Sequence, residues 1–376
     1  MSDGLIPSAW CDINLDLVAK NLELTLGLLP RGAGFCAVMK ADAYGHGIAR
    51  IVPVLLEQRV TCVGITSNAE ARAVRRAGFS GSLIRLRAAT LPEMQAALPD
   101  LVEEQVGSLL AAKHLGDLLC GTQAPTGIHL ALNAGGMSRD GLDISMPSGQ
   151  ETCRKILEEV GPRIHGISTH FPTNDPEPLR RLGDRFQQQV AWICDNSDLN
   201  RPDLLVHAGS TLTLLSGQPV ATDMFRCGAI LYGFLKPELG FRPTMEFKAR
   251  VVHLGVYPKG ATVGYDRDTS LRADSRLACI SVGYAAGYNR TAASHSAVLI
   301  RGMQAPVLGK VSMNSIVADV TGISAVQVGD TATLFGSDGE SEISPAAAVA
   351  QFGSILPDLL TDWGMRNPRT YRSGQP

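Results

Sequence analysis

The chain has 376 residues, of which 45% are hydrophobic and 19% are charged, and its formal net charge is −2. Such a chain is long enough for one large and one smaller globular domain, and its scattered, nearly balanced charges exclude a nucleic-acid-binding surface. No apolar run approaches the roughly 20 residues needed to cross a bilayer, and the start MSDGLIPSAW lacks a signal-peptide pattern. We therefore expect a cytoplasmic protein, or a periplasmic one if a leader has been removed, with neither nucleic acid nor membrane among its partners.

Short apolar runs alternate with helix-like segments in the first two thirds of the chain. The runs cover residues 35–39, 62–65, 82–86, 101–106, 127–132, 163–169, 203–208 and 227–233. One segment between them, residues 67–78, begins with the capping box of Ser67 and Glu70 and ends on Gly78, as an amphipathic helix does. Eight strand–helix units in succession predict a (β/α)8 barrel.

Alternating β-type patterns dominate after about residue 242. The runs cover residues 247–257, 276–284, 297–320 and 330–335, with one helix near 344–352. Turns rich in glycine and proline separate these runs. The sequence therefore predicts an α/β chain with two domains: a (β/α)8 TIM barrel with an N-terminal strand over residues 1–241, and a C-terminal mostly-β domain over residues 242–376.

A lysine ends the first barrel run, in the stretch AVMKADAYGHG at residues 37–47. The functional face of a parallel barrel lies at the C-terminal ends of its strands, so we expect Lys40 at the barrel mouth. Partial desolvation lowers the pKa of a lysine and frees its amine for Schiff-base chemistry. By position alone, however, a lysine that extends from a strand end into water is the commoner case.

AVMKADAYGHG resembles the signature of the alanine racemase family, enzymes that depend on pyridoxal 5′-phosphate (PLP), and the resemblance extends over nearly the whole chain. It implies that Lys40 carries the PLP cofactor covalently and that Tyr44 donates a hydrogen bond to the cofactor phosphate. The stretch STHF (168–171) implies that His170 lies beside the pyridine ring. A lone histidine at a strand end is otherwise more often structural.

Two later stretches resemble the family's phosphate-binding segments. HAGS (207–210) implies a phosphate contact from Ser210, and FRCGAILYG (225–233), where the eighth strand is expected to begin, implies contacts from the backbone N–H groups of Gly228 and Ala229. Phosphate recognition next to the last two strands is a general feature of these barrels.

Arg226 carries a specific mechanistic meaning within that resemblance. In most PLP enzymes a carboxylate keeps the pyridine nitrogen protonated, whereas an arginine can only donate a hydrogen bond to it. The ring then stays a weak electron sink, which suppresses transamination and favours simple reprotonation at Cα. Without the family context, a structural ion pair inside the barrel explains this arginine equally well.

Racemisation needs a proton-transferring group on each face of Cα, and the resemblance implies Lys40 for one face. GYDR (264–267) matches the family's catalytic tyrosine, which implies Tyr265 for the other face. An ordinary tyrosine has a pKa near about 10, so nearby cations must assist it, and His170 and Arg139 are the candidates. In the family this tyrosine comes from the other subunit, so the resemblance implies a homodimer with a shared active site.

Two stretches resemble the family's substrate-binding segments. NAGGMSRDG (133–141) implies that Arg139 contacts the cofactor ring oxygen and the amino acid substrate, and GKVSMN (309–314) implies that the backbone at Met313 binds the substrate carboxylate. Tyr284 is expected to support this segment. By themselves, an arginine in a glycine loop is usually a surface residue and a methionine in a β run is usually core.

Several departures distinguish the chain from typical alanine racemases. The family's carbamylated lysine is absent from ALNAGGM (131–137), where Asn133 leaves room for an anion such as chloride beside Arg139. Met365 stands where the family has a tyrosine that narrows the entrance. These changes are similar to those of a sister group, the broad-spectrum amino acid racemases. They favour activity on alanine and on larger or basic amino acids over a strict alanine racemase.

Other departures bear on structure and substrate. Asp140 is expected to pair with Arg139 or to attract cationic side chains, and Ala286 replaces an aspartate of the family pattern. None of the eight cysteines forms a CxxC pair, so no metal site is expected. Cys36 and Cys62 match positions that are bridged in the broad-spectrum group, and the resemblance leaves a disulfide between them open.

Two alternative functions remain beside the racemase. Non-catalytic PLP-carrying barrels related to this family lack the β domain and its tyrosine, both of which this chain has. Related PLP decarboxylases place a glutamate, not an arginine, at the pyridine nitrogen. The sequence therefore favours a two-base, PLP-dependent amino acid racemase over both.

Overall fold

The computed structural model describes residues 6–121, 126–136, 139–293 and 295–374, which form two compact units. The barrel unit comprises residues 22–43 and 48–231, and the β unit comprises the chain up to Asn21, Tyr44–Gly47 and the chain from Tyr232 onward. The helices and strands before residue 228 are β1 (Ala9–Asn14), α1 (Leu15–Gly27), β2 (Gly34–Val38), α2 (Lys40–Tyr44), α3 (Ile48–Glu57), β3 (Cys62–Ile65), α4 (Asn68–Arg76), β4 (Ser82–Arg85), α5 (Leu91–Ala97), β5 (Glu104–Val106), α6 (Leu109–Leu119), β6 (Ile128–Ala131), α7 (Pro147–Val160), β7 (Ile164–Ser168), α8 (Pro176–Asp195), β8 (Leu205–His207), β9 (Gly209–Ser210), α9 (Thr211–Leu215) and β10 (Met224–Cys227).

The strands of the barrel unit pair in parallel and close into a ring. One run has the order β4-β3-β2-β10-β9 and the other the order β5-β6-β7-β8. A parallel bridge between Ile84 and Glu103 joins β4 to the start of β5, and the Asp223 N–H donates to the Val206 carbonyl at 2.7 Å, which joins β8 to β10. Since β8 and β9 are separated only by Ala208, the ring counts eight strands. The predicted (β/α)8 barrel is confirmed.

Helices pack around this ring because their apolar residues recur on one face. Leu115, Ile156 and Ile193, from α6, α7 and α8, are buried against strand residues such as Leu130 and Ile167 in one apolar cluster. Helix α4 begins at Ser67 with the predicted capping box, in which Ser67 and Glu70 satisfy each other's backbone N–H groups.

The eighth barrel strand differs from the prediction. The apolar run 227–233 was expected to be a strand, but the strand is β10, Met224–Cys227, and Ala229–Tyr232 form a 3-10 turn. Gly233 has a φ of +72°, which ends any extended backbone there. The run is apolar because Ile230 and Leu231 are completely buried, and burial alone does not distinguish a strand from a turn.

The β unit is a mostly antiparallel sheet with two helices. Its further elements are β11 (Met245–Tyr257), β12 (Thr262–Val263), β13 (Thr269–Ser270), β14 (Ser275–Ile280), β15 (Ala297–Ile300), β16 (Met303–Leu308), β17 (Ile316–Asp319), β18 (Thr331–Asp338), β19 (Ser341–Ile343), α10 (Pro345–Phe352), α11 (Leu356–Arg366) and β20 (Arg369–Arg372). The order of the large sheet is β19-β18-β15-β16-β17-β14-β11-β1-β20, and β18 also pairs with β11. That second pairing closes six of these strands into an antiparallel barrel, which leaves no free edge between them. Only the first of the two helices was predicted.

The N-terminal strand belongs to this sheet and not to the barrel, which corrects the prediction. β1 pairs antiparallel with β11 and parallel with β20. Its side chains alternate between buried and half-buried, the pattern of a strand that covers one face of a sheet. The predicted domain boundary near residue 241 stays a prediction. Among the helices of the described residues, none has the length and apolar character needed to cross a bilayer.

Candidate active site

The chain leaves β2 through a left-handed helical turn that begins at Lys40. Ala41, Asp42, Ala43 and Tyr44 have φ values of 53°, 51°, 58° and 52°. This conformation costs an L-residue about 1–2 kcal/mol, so four in succession persist only where the surroundings impose them. The turn is therefore strained backbone at the end of the first barrel strand, where barrels place functional groups.

Hydrogen bonds from the barrel unit hold this turn. The Ala41 N–H donates to Glu70 Oε1 at 2.7 Å, and the Ala43 N–H donates to the Met39 carbonyl at 2.9 Å. Asp42 Oδ1 accepts from the Ile48 N–H at 2.8 Å. Glu70 thus has two roles, because it also caps α4. Sequence reasoning identified only the cap, since nothing local links Glu70 to a turn 29 residues earlier.

Lys40 is half-buried in this setting. Burial lowers the pKa of its amine, and the charge of Arg139 lowers it further, while Glu70 acts in the opposite direction. A lysine with a lowered pKa has more of the neutral amine that adds to a carbonyl or accepts a proton.

Arg226 lies on β10 and is held by neutral acceptors. Its Nη1 donates to the carbonyl and to Nδ1 of His207, both at 2.7 Å, and its Nη2 donates to the Thr169 carbonyl at 2.7 Å. The residue is 9% exposed. Within the described part of the chain, its Nε–H donates to no acceptor and its guanidinium pairs with no carboxylate. The Nε–H and the second N–H of Nη2 are therefore left for ligand atoms that accept, on a guanidinium held in one orientation.

His170 follows β7 beside three cations. Although part of the ring faces solvent, the surrounding protein desolvates it, and this burial, together with the charges of Arg226, Arg139 and Lys40, lowers the pKa of His170 to about 4. The imidazole is therefore neutral at pH 7. It can stack or hydrogen-bond, but it supplies no positive charge to assist a tyrosine.

The predicted phosphate-binding residues gather at the ends of β9 and β10. Ser210 stands opposite Arg226 in the register of these two strands. The Ser210 hydroxyl accepts from the Thr213 N–H at 3.2 Å and so caps α9. The Gly228 N–H donates to Thr211 Oγ1 at 3.2 Å, and Ala229 begins the 3-10 turn. Small residues, hydroxyls and amides thus share one strand end.

Asp140 and Asn133 lie on the loop after β6. Asp140 Oδ2 accepts from the Ala88 N–H at 2.6 Å, so its carboxylate anchors the loop after β4, a contact that the sequence did not predict. Asn133 Oδ1 accepts from the Gly136 N–H at 3.1 Å. Arg139 is exposed, and its charge reaches Lys40 and His170.

Tyr44 belongs to the β unit, where it joins an aromatic cluster. Its ring centroid lies 5.1 Å from that of Tyr232 and 5.9 Å from that of Phe234. His46 is fully buried, stacks on Tyr232 at 4.4 Å and shares a 2.8 Å hydrogen bond with Thr244. The histidine of the YGHG stretch is therefore structural.

The glycine of that stretch allows a close approach to α11. Gly45 has a φ of +80°, and a Cβ there would lie 2.5 Å from the Leu360 carbonyl oxygen. Tyr371 also donates to the His46 carbonyl at 3.0 Å. These contacts explain why Tyr44–Gly47 group with the β unit although the surrounding chain belongs to the barrel unit.

Tyr265 stands on the short turn between β12 and β13. It is 63% exposed, and the next two residues, Asp266 and Arg267, have φ values of 62° and 55°. Lys310 donates to Asp266 Oδ2 at 2.7 Å. The backbone is thus held in place, while the phenol extends into solvent.

The loop that carries Met313 lies against the same turn. A Cβ on Gly264 would lie 2.8 Å from the Lys310 nitrogen, and one on Gly309 would lie 2.7 Å from the Val263 carbonyl oxygen, so the two backbones touch. The Met313 carbonyl accepts from the Ala285 N–H at 3.0 Å. Met313 itself is 54% exposed. The structure therefore brings GYDR, GKVSMN and the stretch VGY (282–284), which contains Tyr284, together within one unit.

Met365 and the predicted supporting tyrosine also belong to the β unit. Met365, on the last turn of α11, is 63% exposed, and Tyr284 is 38% exposed. The Tyr284 N–H donates to the Ser312 carbonyl at 3.1 Å, so this residue joins the Met313 loop through its backbone.

Cys36 and Cys62 are neighbours inside the barrel. Both are buried free thiols on the paired strands β2 and β3. A hydrogen bond with Cys62, followed by burial, raises the pKa of Cys36 well above its usual value. The two thiols are therefore in contact, and that of Cys36 is protonated.

The donors of the barrel unit fit PLP. A lysine with a lowered pKa suits a covalent link to the cofactor aldehyde. The remaining Nε–H of Arg226 suits a pyridine nitrogen, and the hydroxyls and amides at the ends of β9 and β10 suit a phosphate. His207, which holds Arg226, was not predicted. The only signal in the sequence is one polar residue at the end of the apolar run 203–208.

Two family models match successive parts of this chain. The N-terminal domain of alanine racemase matches residues 13–236, and the C-terminal domain of alanine racemase matches residues 244–371. Among solved structures, the alanine racemase of D-cycloserine-producing Streptomyces lavendulae has a TM-score of 0.89 over 99% of this chain and 98% of that one, with 22% identity. At this identity the likeness concerns the fold alone.

Curated relatives are similar over nearly their whole length. The chain is 40% identical to a broad specificity amino-acid racemase of Pseudomonas taetrolens, over 98% of this chain and 92% of the relative. It is 36% identical to a lysine racemase of Proteus mirabilis, over 97% and 90%. An alanine racemase of Desulfosudis oleivorans is 28% identical, over 98% and 97%.

Proposed function

The chain belongs to the alanine racemase family and is an amino acid racemase, and on that premise we propose that it interconverts the L and D forms of several amino acids with PLP as its cofactor. One observation supports the proposal that the enzyme acts on several amino acids. Relatives with broad or lysine specificity are 36–40% identical to the chain, against 28% for an alanine racemase.

PLP bound through Lys40 would supply the electron sink that lets a proton leave Cα. Lys40 then moves that proton on one face of Cα. Its lowered pKa supports this role, because a base works best when its pKa lies near the working pH. The fixed left-handed turn supports it as well, since it keeps the amine at a constant position.

Arg226 positions the pyridine nitrogen through its Nε–H. The guanidinium cannot rotate away, because both Nη atoms are bound to carbonyls or to His207. An arginine keeps its protons at neutral pH, so the nitrogen receives a hydrogen bond but no proton. This restraint favours return of the proton to Cα over transamination.

The remaining cofactor contacts are assigned to the residues expected from the sequence. Ser210, Gly228 and Ala229 bind the phosphate, and Tyr44 donates to it. His170 lies against the ring as a neutral imidazole, which its lowered pKa supports.

Tyr265 of the partner subunit serves the opposite face of Cα in a homodimer with shared active sites. Its 63% exposure supports this role, because an exposed phenol on a fixed backbone is free to enter a neighbouring subunit. The backbone at Met313, beside it, binds the substrate carboxylate from the same side. With His170 neutral, Arg139 is the cation left to assist the tyrosine in proton transfer.

The open entrance explains the breadth. Met365 is flexible and cannot donate a hydrogen bond, whereas the tyrosine of typical alanine racemases narrows the entrance. Arg139 binds the substrate, and a chloride beside Asn133 balances its charge. The barrel domain ends near residue 241 in this proposal.

A substrate panel tests the proposal. The purified enzyme is incubated with L-alanine, L-lysine, L-arginine, L-serine and L-methionine, and the products are separated by chiral chromatography. We expect D enantiomers from several of them. Activity on alanine alone would leave the reaction standing but contradict the breadth. Met365→Tyr is the matched variant, and it should lower turnover of lysine and arginine more than that of alanine.

A further inference from the structure

A chain of hydrogen bonds crosses the interior of the barrel and ends on Arg226. Arg226 Nη1 lies 2.7 Å from His207 Nδ1, and His207 Nε2 lies 3.0 Å from His129 Nδ1. His129 Nε2 lies 2.8 Å from Glu103 Oε2, and the Ser82 hydroxyl donates to the other oxygen of Glu103. These residues come from five different strands or strand starts, so only the closed barrel brings them together.

The chemistry of the two ends allows one direction of donation. Arginine only donates and a carboxylate only accepts, so His207 Nδ1 must accept from Arg226, and Glu103 must accept from His129. A neutral imidazole has one N–H, so His207 donates through Nε2 to His129 Nδ1, and His129 donates through Nε2. Each imidazole is thereby held in a single tautomer.

The protonation states agree with this order. Burial, and then the charge of Arg226, lowers the pKa of His207 well below its usual value, which keeps it neutral. Burial opposes ionisation of Glu103, but the hydrogen bond from His129, electrostatic attraction to His129 and His165, and the hydrogen bond from Ser82 together lower the pKa of this carboxyl.

Packing inside the barrel leaves room for this chain of hydrogen bonds. His129 and His207 are fully buried, and their rings meet edge to face at 4.9 Å. A Cβ on Gly166 would lie 2.4 Å from His129 Nδ1 and 2.7 Å from the Leu205 carbonyl oxygen, so only glycine leaves room there. Removing one partner of such a network leaves a buried donor or acceptor unsatisfied.

We propose that Glu103 and His129 are positioning residues for the racemase: through His207 they fix the orientation of the Arg226 guanidinium and balance its charge from the far side of the barrel. This inference rests on the proposed function. Arg226 is a buried cation with no carboxylate against it among the described residues, and Glu103 is the negative end of the polarised chain that reaches it. Without Glu103, the imidazoles can reverse their tautomers, and His207 then presents an N–H to the arginine donors.

Two variants interrupt this chain of hydrogen bonds at different residues. Glu103→Gln removes the charge but keeps the shape, and its amide can present either oxygen or N–H to His129. His129→Asn keeps a polar group near the position of Nδ1, within reach of His207, but it cannot reach Glu103. If the two residues act through one chain, the double variant should behave like either single variant.

Glu104→Gln is the matched control. Glu104 is the next residue and is buried, whereas Glu103 is half-buried, and Glu104 pairs with Arg85 at 2.7 Å and not with a histidine. A loss of stability common to buried carboxylates would therefore appear in the control as well. A change specific to the chain of hydrogen bonds would not appear in the control.

The first readout needs no activity. Full-length protein with 15N-labelled histidine, measured with and without PLP, should show His207 with Nε2 protonated and Nδ1 as an acceptor. In Glu103→Gln and His129→Asn, a second His207 tautomer should appear, and it should be absent from Glu104→Gln. Wild-type tautomers in both chain variants would overturn the proposal.

The second readout is the PLP-loaded enzyme. In both chain variants, kcat should fall about tenfold with KM little changed, and the share of turnovers lost to transamination should rise. Equal losses in Glu104→Gln, or additive losses in the double variant, would contradict the proposal that Glu103 and His129 act through one chain of hydrogen bonds. If the wild type racemises nothing, the proposed function fails, while the tautomer measurement still decides whether the chain exists.

Discussion

Arg226 in the barrel unit and Tyr265 in the β unit differ in how much protein surrounds them. Arg226 is 9% exposed and has three hydrogen bonds, each of 2.7 Å. Tyr265 is 63% exposed, although its backbone turn is tightly packed. A group that must keep one geometry is enclosed by its own unit. A group that is proposed to act in a partner subunit is presented on a fixed but open turn.

The largest expected effect comes from a substitution in the barrel unit. Lys40→Ala should abolish racemisation and the visible absorption band of bound PLP, because both depend on the covalent link. Borohydride should fix the cofactor onto Lys40 in the wild type, as peptide mass mapping would detect. Survival of the band in the variant would refute the assignment.

Tyr265→Phe tests the role of the exposed tyrosine in the β unit. We expect PLP to stay bound, because the phenol lies outside the barrel unit, and one direction of proton transfer to fall by at least about a hundredfold. Exchange of the Cα hydrogen in deuterated water, measured separately for the L and D substrates, checks this. Equal losses for both enantiomers would argue against two bases. Tyr284→Phe, on the adjoining loop, is the matched control.

The third effect concerns the strained turn after β2. Glu70→Gln should lower the free energy of unfolding by about 1–3 kcal/mol, because a buried carboxylate that serves the N–H groups of Ala41, Thr66 and Ser67 is replaced by a weaker acceptor. Glu93 is the matched control, since it holds the same capping position on α5 but is more exposed. Glu93→Gln should cost at most about 1 kcal/mol by urea unfolding. A reversed order would show that the turn does not depend on Glu70.

The smallest effect is a dependence of stability on pH. The folded pKa of His170 is about 4, below the usual 6.5, so between these values the unfolded chain binds the proton more readily. The stability that the neutral ring contributes is therefore present above pH 6.5 and is lost as the pH falls towards 4. His170→Gln should show a shallower fall in urea midpoint between pH 7 and 5 than the wild type. Parallel curves would contradict the lowered pKa.

Much of the fold follows from local patterns. Seven of the eight predicted barrel runs contain all or most of a strand, because apolar residues at strand spacing have few other arrangements. The eighth run, 227–233, shares only Cys227 with its strand. The failures have a common cause. The run 227–233 is apolar because it is buried, and β1 pairs with strands more than 200 residues away, so a local pattern alone assigns neither of them correctly.

In the candidate site, too, local patterns predicted some features, while others depend on residues distant in sequence. The motif at residues 37–47 predicted roles for Lys40 and Tyr44, but it did not predict the left-handed turn that follows Lys40. Local propensity disfavours that turn, and Glu70 imposes it from 29 residues away. No local pattern predicts the role of His207, because the role of a single histidine in an apolar run depends on its partner.

The sequence by itself determined which residues are candidates for the chemistry and predicted strand ends for several of them, because residue type and periodicity are local properties. The tertiary structure alone decided how these residues are held. His129 and His207 are 78 residues apart, and hydrogen bonds through both of them connect Arg226 to Glu103. Hydrogen bonds of this kind form between strands that the closed barrel makes neighbours, and their directions follow from which end can only donate and which can only accept.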